Sequence, residues 1–426
     1  MHDWYLESGR LVHSSTGFFS VTGLSYMLPG GESSVTQPFI LQPEVGILGF
    51  LMCRDGDGVH LLVQAKTEPG NREGTQLAPS FQCTKSNYEL RHGGEIAPFS
   101  EHFLQSQRHL LLTDVLQSEQ GTRFIDKYNR NMVVSVERDT VDLSSRARLA
   151  WRWLPVALIS QLIARDFLFN TDARSVLSTT DWAGLCEDAE PFGRWRSKSG
   201  FGEALWRSYH TEVDALALMS FRRRLEDQQR LFPVETNLVG LDDMPGWEFG
   251  AGGVLPSTSL PGPSVRFYAV QAKDREISHW TQPLLTSNTS GLVLLVARPH
   301  DGILRFGIRP SREPGFANAV QLSATGQVLP GEPQSVDMVN ELCARCAASE
   351  HGEAQIIFDC RTTEEGGRFF QDLNRYVIVL VPDRIQLPDE ANICWLTLAE
   401  INVLKRESGN FTNEFRSILS LLLVYL

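Results

Sequence analysis

The sequence predicts an α+β protein in which one mixed-sheet domain occurs twice in tandem, with a helical insert between the copies. Three observations lead there. The first is repetition at constant spacing. Thr36-Gln37-Pro38 returns as Thr281-Gln282-Pro283, Glu68-Pro69-Gly70 as Glu313-Pro314-Gly315, Arg123-Phe124 as Arg368-Phe369 and Asn129-Arg130 as Asn374-Arg375, each 245 positions on. Trp153-Leu154 and Arg174-Ser175 return as Trp395-Leu396 and Arg416-Ser417 at a spacing of 242. Independent coincidences do not hold one offset over such a span. The second is a strand–turn–strand pattern in each copy, and the third is a single stretch of helical periodicity that neither copy repeats. The chain divides accordingly into a first copy over 1–199, a helical insert over 200–239, a Gly/Pro-rich linker over 240–263 and a second copy over 264–426.

The elements follow in order. Residues 17–21 read as a strand, with a counterpart at 266–270. Residues 46–53 form a continuous apolar run, the pattern of a strand covered on both faces. Asp55-Gly56-Asp57-Gly58 supplies the residues that accept a hairpin turn's positive φ, and 59–66 return as the partner strand. The second copy repeats the hairpin around His300-Asp301-Gly302, with a turn expected to be one residue shorter. Residues 131–137 and 376–382 are further strands. Residues 154–167 and 396–407 have helical spacing, with Leu158, Leu162 and Ile163 on one side. In the insert, Phe201, Leu205, Tyr209, Val213, Leu216, Leu218, Phe221 and Leu225 recur every three or four residues, as on an amphipathic helix. This helix is expected to pack the copies together or to make a homodimer contact. The linker is read from Gly246, Gly250, Gly252, Gly253, Pro256, Pro261 and Pro263.

Length and charge narrow the function. The 426 residues suffice for two cores, and 42% hydrophobic with 21% charged residues is ordinary globular composition. A net charge of −12 argues against a nucleic-acid partner, and any anionic ligand must be met by local cations. The N-terminus lacks a basic region followed by an apolar run, and the last apolar run is too short to span a membrane. Seven scattered cysteines fit a reducing cytoplasm.

Candidate site residues cluster in the first copy. Lys66 and Glu68 stand where a hairpin strand ends in Pro69-Gly70. Lys66 suits a phosphate; Glu68 suits a base or a sugar-hydroxyl acceptor, while survival of Glu-Pro-Gly in both copies also fits a structural turn; Asn71, just beyond it, is a candidate substrate contact. The segment from Gln76 through Gln82, Thr84, Ser86 and Asn87 to Tyr88 is dense in uncharged hydrogen-bonding groups of the kind that sugar hydroxyls require. Tyr88 is a candidate acid or base if a cation, Lys85 or Arg91, lowers its pKa. Glu119, Lys127, Arg130 and Asn131 form a second polar cluster. Arg130 and Arg375 recur and suit structural ion pairs. Lys127 faces Asp372 at the equivalent position, an exchange that favours the first copy for an anionic ligand. Cys343-Ala344-Arg345-Cys346 is a lone CxxC without partners for zinc, and no dinucleotide, Walker or metalloprotease motif occurs.

With these residues in view, the runs Thr-Gly-Phe-Phe-Ser-Val (16–21), Gln-Pro-Glu-Val-Gly-Ile-Leu-Gly (42–49), Glu-Pro-Gly-Asn (68–71), Ser-Asn-Tyr (86–88), Ser-Glu-Gln-Gly (118–121) and Asn-Arg-Asn-Met (129–132) resemble the NDP-hexose 2,3-dehydratases of bacterial 2,6-dideoxysugar biosynthesis. The resemblance implies two Nudix-like domains without the Nudix metal box. It further implies a dTDP-4-keto-6-deoxyglucose-type substrate, no metal or organic cofactor, and a downstream 3-ketoreductase. The C4 ketone acidifies C3–H, and the C2 hydroxyl, β to that ketone, leaves as water. Glu68, Tyr88 and Glu119, from the reading of the residues above, are the candidate catalytic set. Thymine recognition would use an aromatic face, for which Trp4, Trp153 and Trp395 are candidates. A non-catalytic nucleotide-sugar-binding protein of degenerate Nudix-like domains is the alternative.

Overall fold

The structure, a computed structural model, describes residues 3–15, 18–27, 33–89, 96–105, 107, 110–144, 149–198, 200–231, 234–250, 252–257, 262–271, 279–316, 319–331, 354–387 and 392–426. Arg91 and the Cys343–Cys346 pair lie outside them.

The first copy opens with β1 (Trp4–Glu7), β2 (Arg10–His13), β3 (Ser20–Met27) and β4 (Val35–Leu41). It continues through β5 (Gly46–Asp55), β6 (Gly58–Thr67), β7 (Thr75–Pro79) and β8 (Phe81–Cys83) to the short helices α1 (Lys85–Tyr88) and α2 (Ser100–Leu104). Then come β9 (Leu111–Ser118), β10 (Phe124–Ile125), β11 (Tyr128–Ser135), β12 (Trp151–Pro155), and helices α3 (Val156–Leu162), α4 (Thr171–Thr179) and α5 (Trp182–Leu185). Its main sheet has the order β12-β6-β5-β11-β9, with β7 on β6 and β8 on β5. Strand β5 is central, and its first eight residues are all buried. That is what an apolar run without polar alternation requires.

The insert forms α6 (Phe201–His210), α7 (Ala215–Leu231) and β13 (Glu235–Val239). Helix α6 packs on the second copy, where the Ser208 hydroxyl donates to the Leu304 carbonyl and accepts from the Leu398 amide. Strand β13 adds to β3 of the first copy. The insert therefore does touch both copies. Leu216, assigned to its apolar face, is 76% exposed.

The second copy comprises β14 (Trp247–Gly250), β15 (Gly253–Pro256), β16 (Ser264–Gln271), β17 (His279–Thr286), β18 (Gly291–His300), β19 (Ile303–Ser311), β20 (Gln321–Ser323) and β21 (Gly326–Val328). It ends with β22 (Gln355–Thr363), β23 (Leu373–Leu380), β24 (Cys394–Thr397), α8 (Leu398–Leu404) and α9 (Asn413–Leu419). Its seven-stranded sheet is connected as the first is. Strand β18 takes the place of β5 and pairs parallel with β23 as β5 does with β11. Strands β19, β20, β21, β22 and β24 take the places of β6, β7, β8, β9 and β12. Even a sheet repair is repeated. Ser80 Oγ accepts from the Leu51 amide at 2.8 Å, and Thr325 Oγ1 from the Val296 amide at 2.9 Å.

The structure redraws several expected boundaries. Residues 240–263 carry the β14–β15 hairpin, in sheet order β14-β15-β16-β17 like β1-β2-β3-β4. Strands of four residues joined at a Gly with φ +118 have the composition of a linker, but Trp247 occupies the place of Trp4. Both β-hairpins close through two-residue turns, between Asp55 and Gly58 and between His300 and Ile303. The predicted helices at 154–167 and 396–407 each begin as a strand, β12 and β24. The buried side of α3 is Val156 and Ile159, with Ile163 just beyond it, while Leu158 is 37% exposed.

The copies clasp each other by paired hydrogen bonds that repeat with roles exchanged. Trp4 Nε1 donates to the Thr281 carbonyl at 2.8 Å, and Trp247 Nε1 to the Thr36 carbonyl at 2.9 Å. The Gly70 amide donates to the Gly366 carbonyl, and the Gly315 amide to the Gly121 carbonyl. Gln76 Nε2 donates to Thr363 Oγ1 and Gln321 Nε2 to Ser118 Oγ. One hydrophobic cluster draws side chains from both copies and the insert. No helix among the described residues is long and apolar enough to cross a membrane.

Candidate active site

The clasp creates two pseudo-equivalent positions for a site, and they differ greatly. The first opens into a cavity of about 1310 Å³, walled by β5, β6, β8 and the 42–46 loop of the first copy and by residues 279–282 and 365–368 of the second. The other holds about 10 Å³ between Leu329, Pro330, Arg123, Asp372 and Glu414. There Leu329 and Pro330 stand where the first copy has Thr84 and Lys85, and Arg123 Nη2 donates to the Pro330 carbonyl.

The cavity floor is ionic. Lys66 Nζ lies 2.8 Å from Glu68 Oε1. Both sit near the end of β6, where the chain turns into Pro69-Gly70 and is pinned to the second copy. Glu365 and Arg368 enter from the 364–369 turn, and Asp172 from the first turn of α4. Burial, reinforced by the charges of Glu365, Glu119 and Glu68, pushes the Asp172 carboxyl well above its ordinary value. Its Oδ2 finds no hydrogen-bond partner among the described residues. Burial also pushes Glu365 up to about 7, with Glu68 and Glu119 adding to the shift and Arg368 and Lys66 opposing it.

A second network shapes the cavity's side. Burial alone would raise Glu44, but bonds from the Ser86 amide at 2.7 Å, the Ser86 hydroxyl at 3.0 Å and Gln42 at 3.3 Å, with the Lys127 charge, hold it below the usual carboxylate range. Lys127 Nζ donates to the Glu44 carbonyl at 2.6 Å. Burial, with Arg368 nearby, lowers the pKa of its ammonium. Arg368 Nη2 donates to Gln42 Oε1 at 3.0 Å, and its guanidinium lies 4.3 Å from the Phe19 ring centroid. Trp4, Phe18, Phe19, Trp151 and Trp280 give this polar basin an aromatic rim.

Of the residues expected from sequence, Trp4, Lys66, Glu68, Gln82, Thr84, Ser86, Asn87 and Lys127 line the cavity. The others lie elsewhere. Tyr88 packs against the cluster around Ile47 and Phe81, and burial, with neighbouring acids, raises its pKa instead of lowering it. Glu119 is enclosed between Asn129 Nδ2 at 2.6 Å and Asn413 Nδ2 at 2.9 Å, a bridge between the copies. Asn71 ties its own loop through the Gly74 carbonyl, and Gln76 bonds across to Thr363. Asn131 is held by Ser175 and Thr179. Arg130 forms a two-bond pair with Asp114, as Arg375 does with Asp359. Trp153 lies 6.0 Å from Arg138, away from the cavity. Gln76, Glu119 and Asn131, polar residues expected to contact ligand, instead satisfy buried protein partners. Sequence reasoning missed Gln42, Glu44, Trp151, Asp172, Glu365 and Arg368. The available signal for Glu365 was the repeat itself, because Glu364-Glu365-Gly366 aligns with Glu119-Gln120-Gly121.

A half-open basin with paired carboxylates, three cations and aromatic side chains on its walls fits the class of enzymes that take a small molecule into a polar cleft. A family model described as NDP-hexose 2,3-dehydratase matches residues 1–180 and 219–422, and the chain belongs to that family. It is 33% identical to a dTDP-4-dehydro-6-deoxy-α-D-glucopyranose 2,3-dehydratase of Streptomyces violaceoruber, over 99% of this chain and 91% of the relative. Relatives of the same name are 32% identical in Amycolatopsis orientalis, over 99% of this chain and 84% of theirs, and 30% identical in Saccharopolyspora spinosa, over 96% and 83%.

Proposed function

We propose that the chain is a hydro-lyase acting on a dTDP-4-keto-6-deoxyhexose, removing water across C2–C3 to give a 3,4-diketo-2,6-dideoxy sugar nucleotide. The observation that carries this reading is the Lys66–Glu68 ion pair on the floor of the cavity, in a chain of this family. Glu68 is the base that takes the C3 proton. The proton is acidic because its electron pair delocalises into the C4 ketone, so the substrate supplies its own electron sink. Lys66 orients the carboxylate and stabilises the adjoining enolate charge. Lys127 and Arg368 meet the diphosphate, and the aromatic rim receives the thymine. The first copy is the working one, because among the described residues its side of the clasp has the room for a nucleotide sugar and the other holds about 10 Å³.

The six-for-six correspondence of strand pairings in the two seven-stranded sheets supports descent of both from one duplicated Nudix-like domain. A cytoplasmic setting, a homodimer and a ketoreductase that consumes the unstable diketone complete the reading. Purified protein incubated with dTDP-4-keto-6-deoxyglucose and excess chelator should give a product lighter by one water, trapped by a 3-ketoreductase. Recovered substrate from D₂O should carry deuterium at C3. Turnover lost in chelator and restored by magnesium would overturn the metal-free mechanism; nucleoside monophosphate as product would overturn the dehydratase reading.

A further inference from the structure

We propose that Glu365, a residue of the second copy, is the acid of the first-copy site: it delivers a proton to the C2 oxygen while Glu68 takes the proton from C3. The proposal rests on the dehydratase reading above and adds the source of the leaving group's proton.

Geometry is the first support. Glu68 Oε1 and Glu365 Oε1 converge over Gly367, where a methyl group would lie 3.3 Å from one and 3.2 Å from the other. Two carboxyl groups thus face the same small volume from opposite copies. Pseudo-symmetry is the second support. At the filled position Glu313 replaces Glu68 and Glu414 replaces Asp172, so both acids persist where the cavity is only about 10 Å³. Glu365 alone among the three has an amide, Gln120, as its counterpart. Asp172 and Glu414 stand at matching places, in the first turns of α4 and α9. Glu365 lies in a turn, and its acid occurs on the side of the clasp that opens into the large cavity.

The environments also set the two groups apart. Glu68 is paired with a cation, whereas Glu365 sits where burial and the charges of Glu68 and Glu119 favour its neutral form against the pull of Arg368 and Lys66. Asp172 and Lys127 complete the charges facing it. Separation of two carboxyls into an anion and a neutral acid is the arrangement that runs base and acid chemistry together.

The step balances. The C3–H bond breaks, its proton goes to Glu68 and its electron pair forms the C3–C4 enolate. That pair returns to make the C2–C3 double bond as C2–O breaks, and the Glu365 proton leaves with the hydroxyl as water. In the tautomerisation, the Glu365 carboxylate takes the C3 hydroxyl proton and Glu68 returns its proton to C2, so both groups regain their starting states.

The test compares wild type, Glu365→Gln, Glu365→Asp and Glu68→Gln on two substrates, the keto sugar nucleotide and its 2-deoxy-2-fluoro analogue, whose fluoride leaves without that proton. Glu365→Gln should lower kcat on the hydroxyl substrate by about 10²–10⁴-fold, remove the fall in kcat as pH rises through about 7, keep C3 exchange in D₂O, and keep fluoride release within a few-fold of wild type. Glu365→Asp should recover part of the rate and the alkaline limb. Glu68→Gln should lose exchange and both eliminations. If Glu365→Gln keeps kcat on the hydroxyl substrate, or loses exchange and fluoride release together with dehydration while Glu365→Asp recovers neither, the acid role is overturned. Wild type that dehydrates isolates that failure to Glu365; wild type that neither exchanges nor dehydrates overturns the underlying reading as well.

Discussion

Replacing Gly70 with alanine tests the clasp between the copies. The Gly70 amide donates to the Gly366 carbonyl at 2.8 Å, and its own carbonyl accepts from the Gln371 amide at 2.9 Å. A methyl at Gly70 would overlap the carbonyl of Phe369, which is backbone and cannot swing aside. Overpacking a tight site costs about 1–3 kcal/mol, and each displaced hydrogen bond adds about 1 kcal/mol. Gly70→Ala should therefore cost on the order of 3–5 kcal/mol, a large part of the roughly 5–15 kcal/mol that holds a domain folded. Gly315→Ala, which would meet the Phe124 carbonyl, should cost about as much. Gly56→Ala has open space around it and should fall within about 0.5 kcal/mol of wild type. Guanidinium unfolding read by tryptophan fluorescence measures all three. Turnover should separate the first two, since the Gly70 bond anchors the segment bearing Glu365 and the Gly315 bond borders the filled position. A Gly70→Ala protein as stable as Gly56→Ala would refute the account of the clasp.

Asp372 is buried, and its carboxyl is pushed up to about 6 by that burial despite bonds from the Ser287 amide and hydroxyl. With the folded pKa above the unfolded one, wild type loses stability as pH rises from about 4 to 6 and does not regain it. Asp372→Asn should therefore be more stable than wild type by about 2–3 kcal/mol at pH 8 and no different near pH 4; a gain that is the same at both pH values, by thermal melting, would contradict the assignment. Tyr88→Phe should change kcat only a few-fold, against about 10²–10⁴-fold for Glu68→Gln, and a collapse of kcat in Tyr88→Phe would put the phenol back in the reaction.

The sequence by itself determined the α+β class, the two copies, the β5–β6 and β18–β19 hairpins and the placing of Lys66 and Glu68 at the end of a strand that lines the cavity. These are local properties. Strand period, turn residues and an offset repeated along the chain are all readable without knowing which elements meet. Tertiary structure decided the rest. The β14–β15 hairpin looked like a linker because four-residue strands rich in Gly carry little period; only its pairing and the Trp247 bond to Thr36 reveal it as a repeat of β1–β2. Gln76, Glu119 and Asn131 have the chemistry of ligand contacts, but folding gave them protein partners first, and residue type does not tell the two uses apart. Glu365 and Arg368 stand some 300 positions from Lys66 and Glu68. Their membership in one cavity follows from the pseudo-twofold clasp, which crosses the 364–369 turn of one copy into the other. That crossing costs the chain the closure of a long loop and is set by paired backbone bonds between glycines, which leave no periodic trace in the sequence.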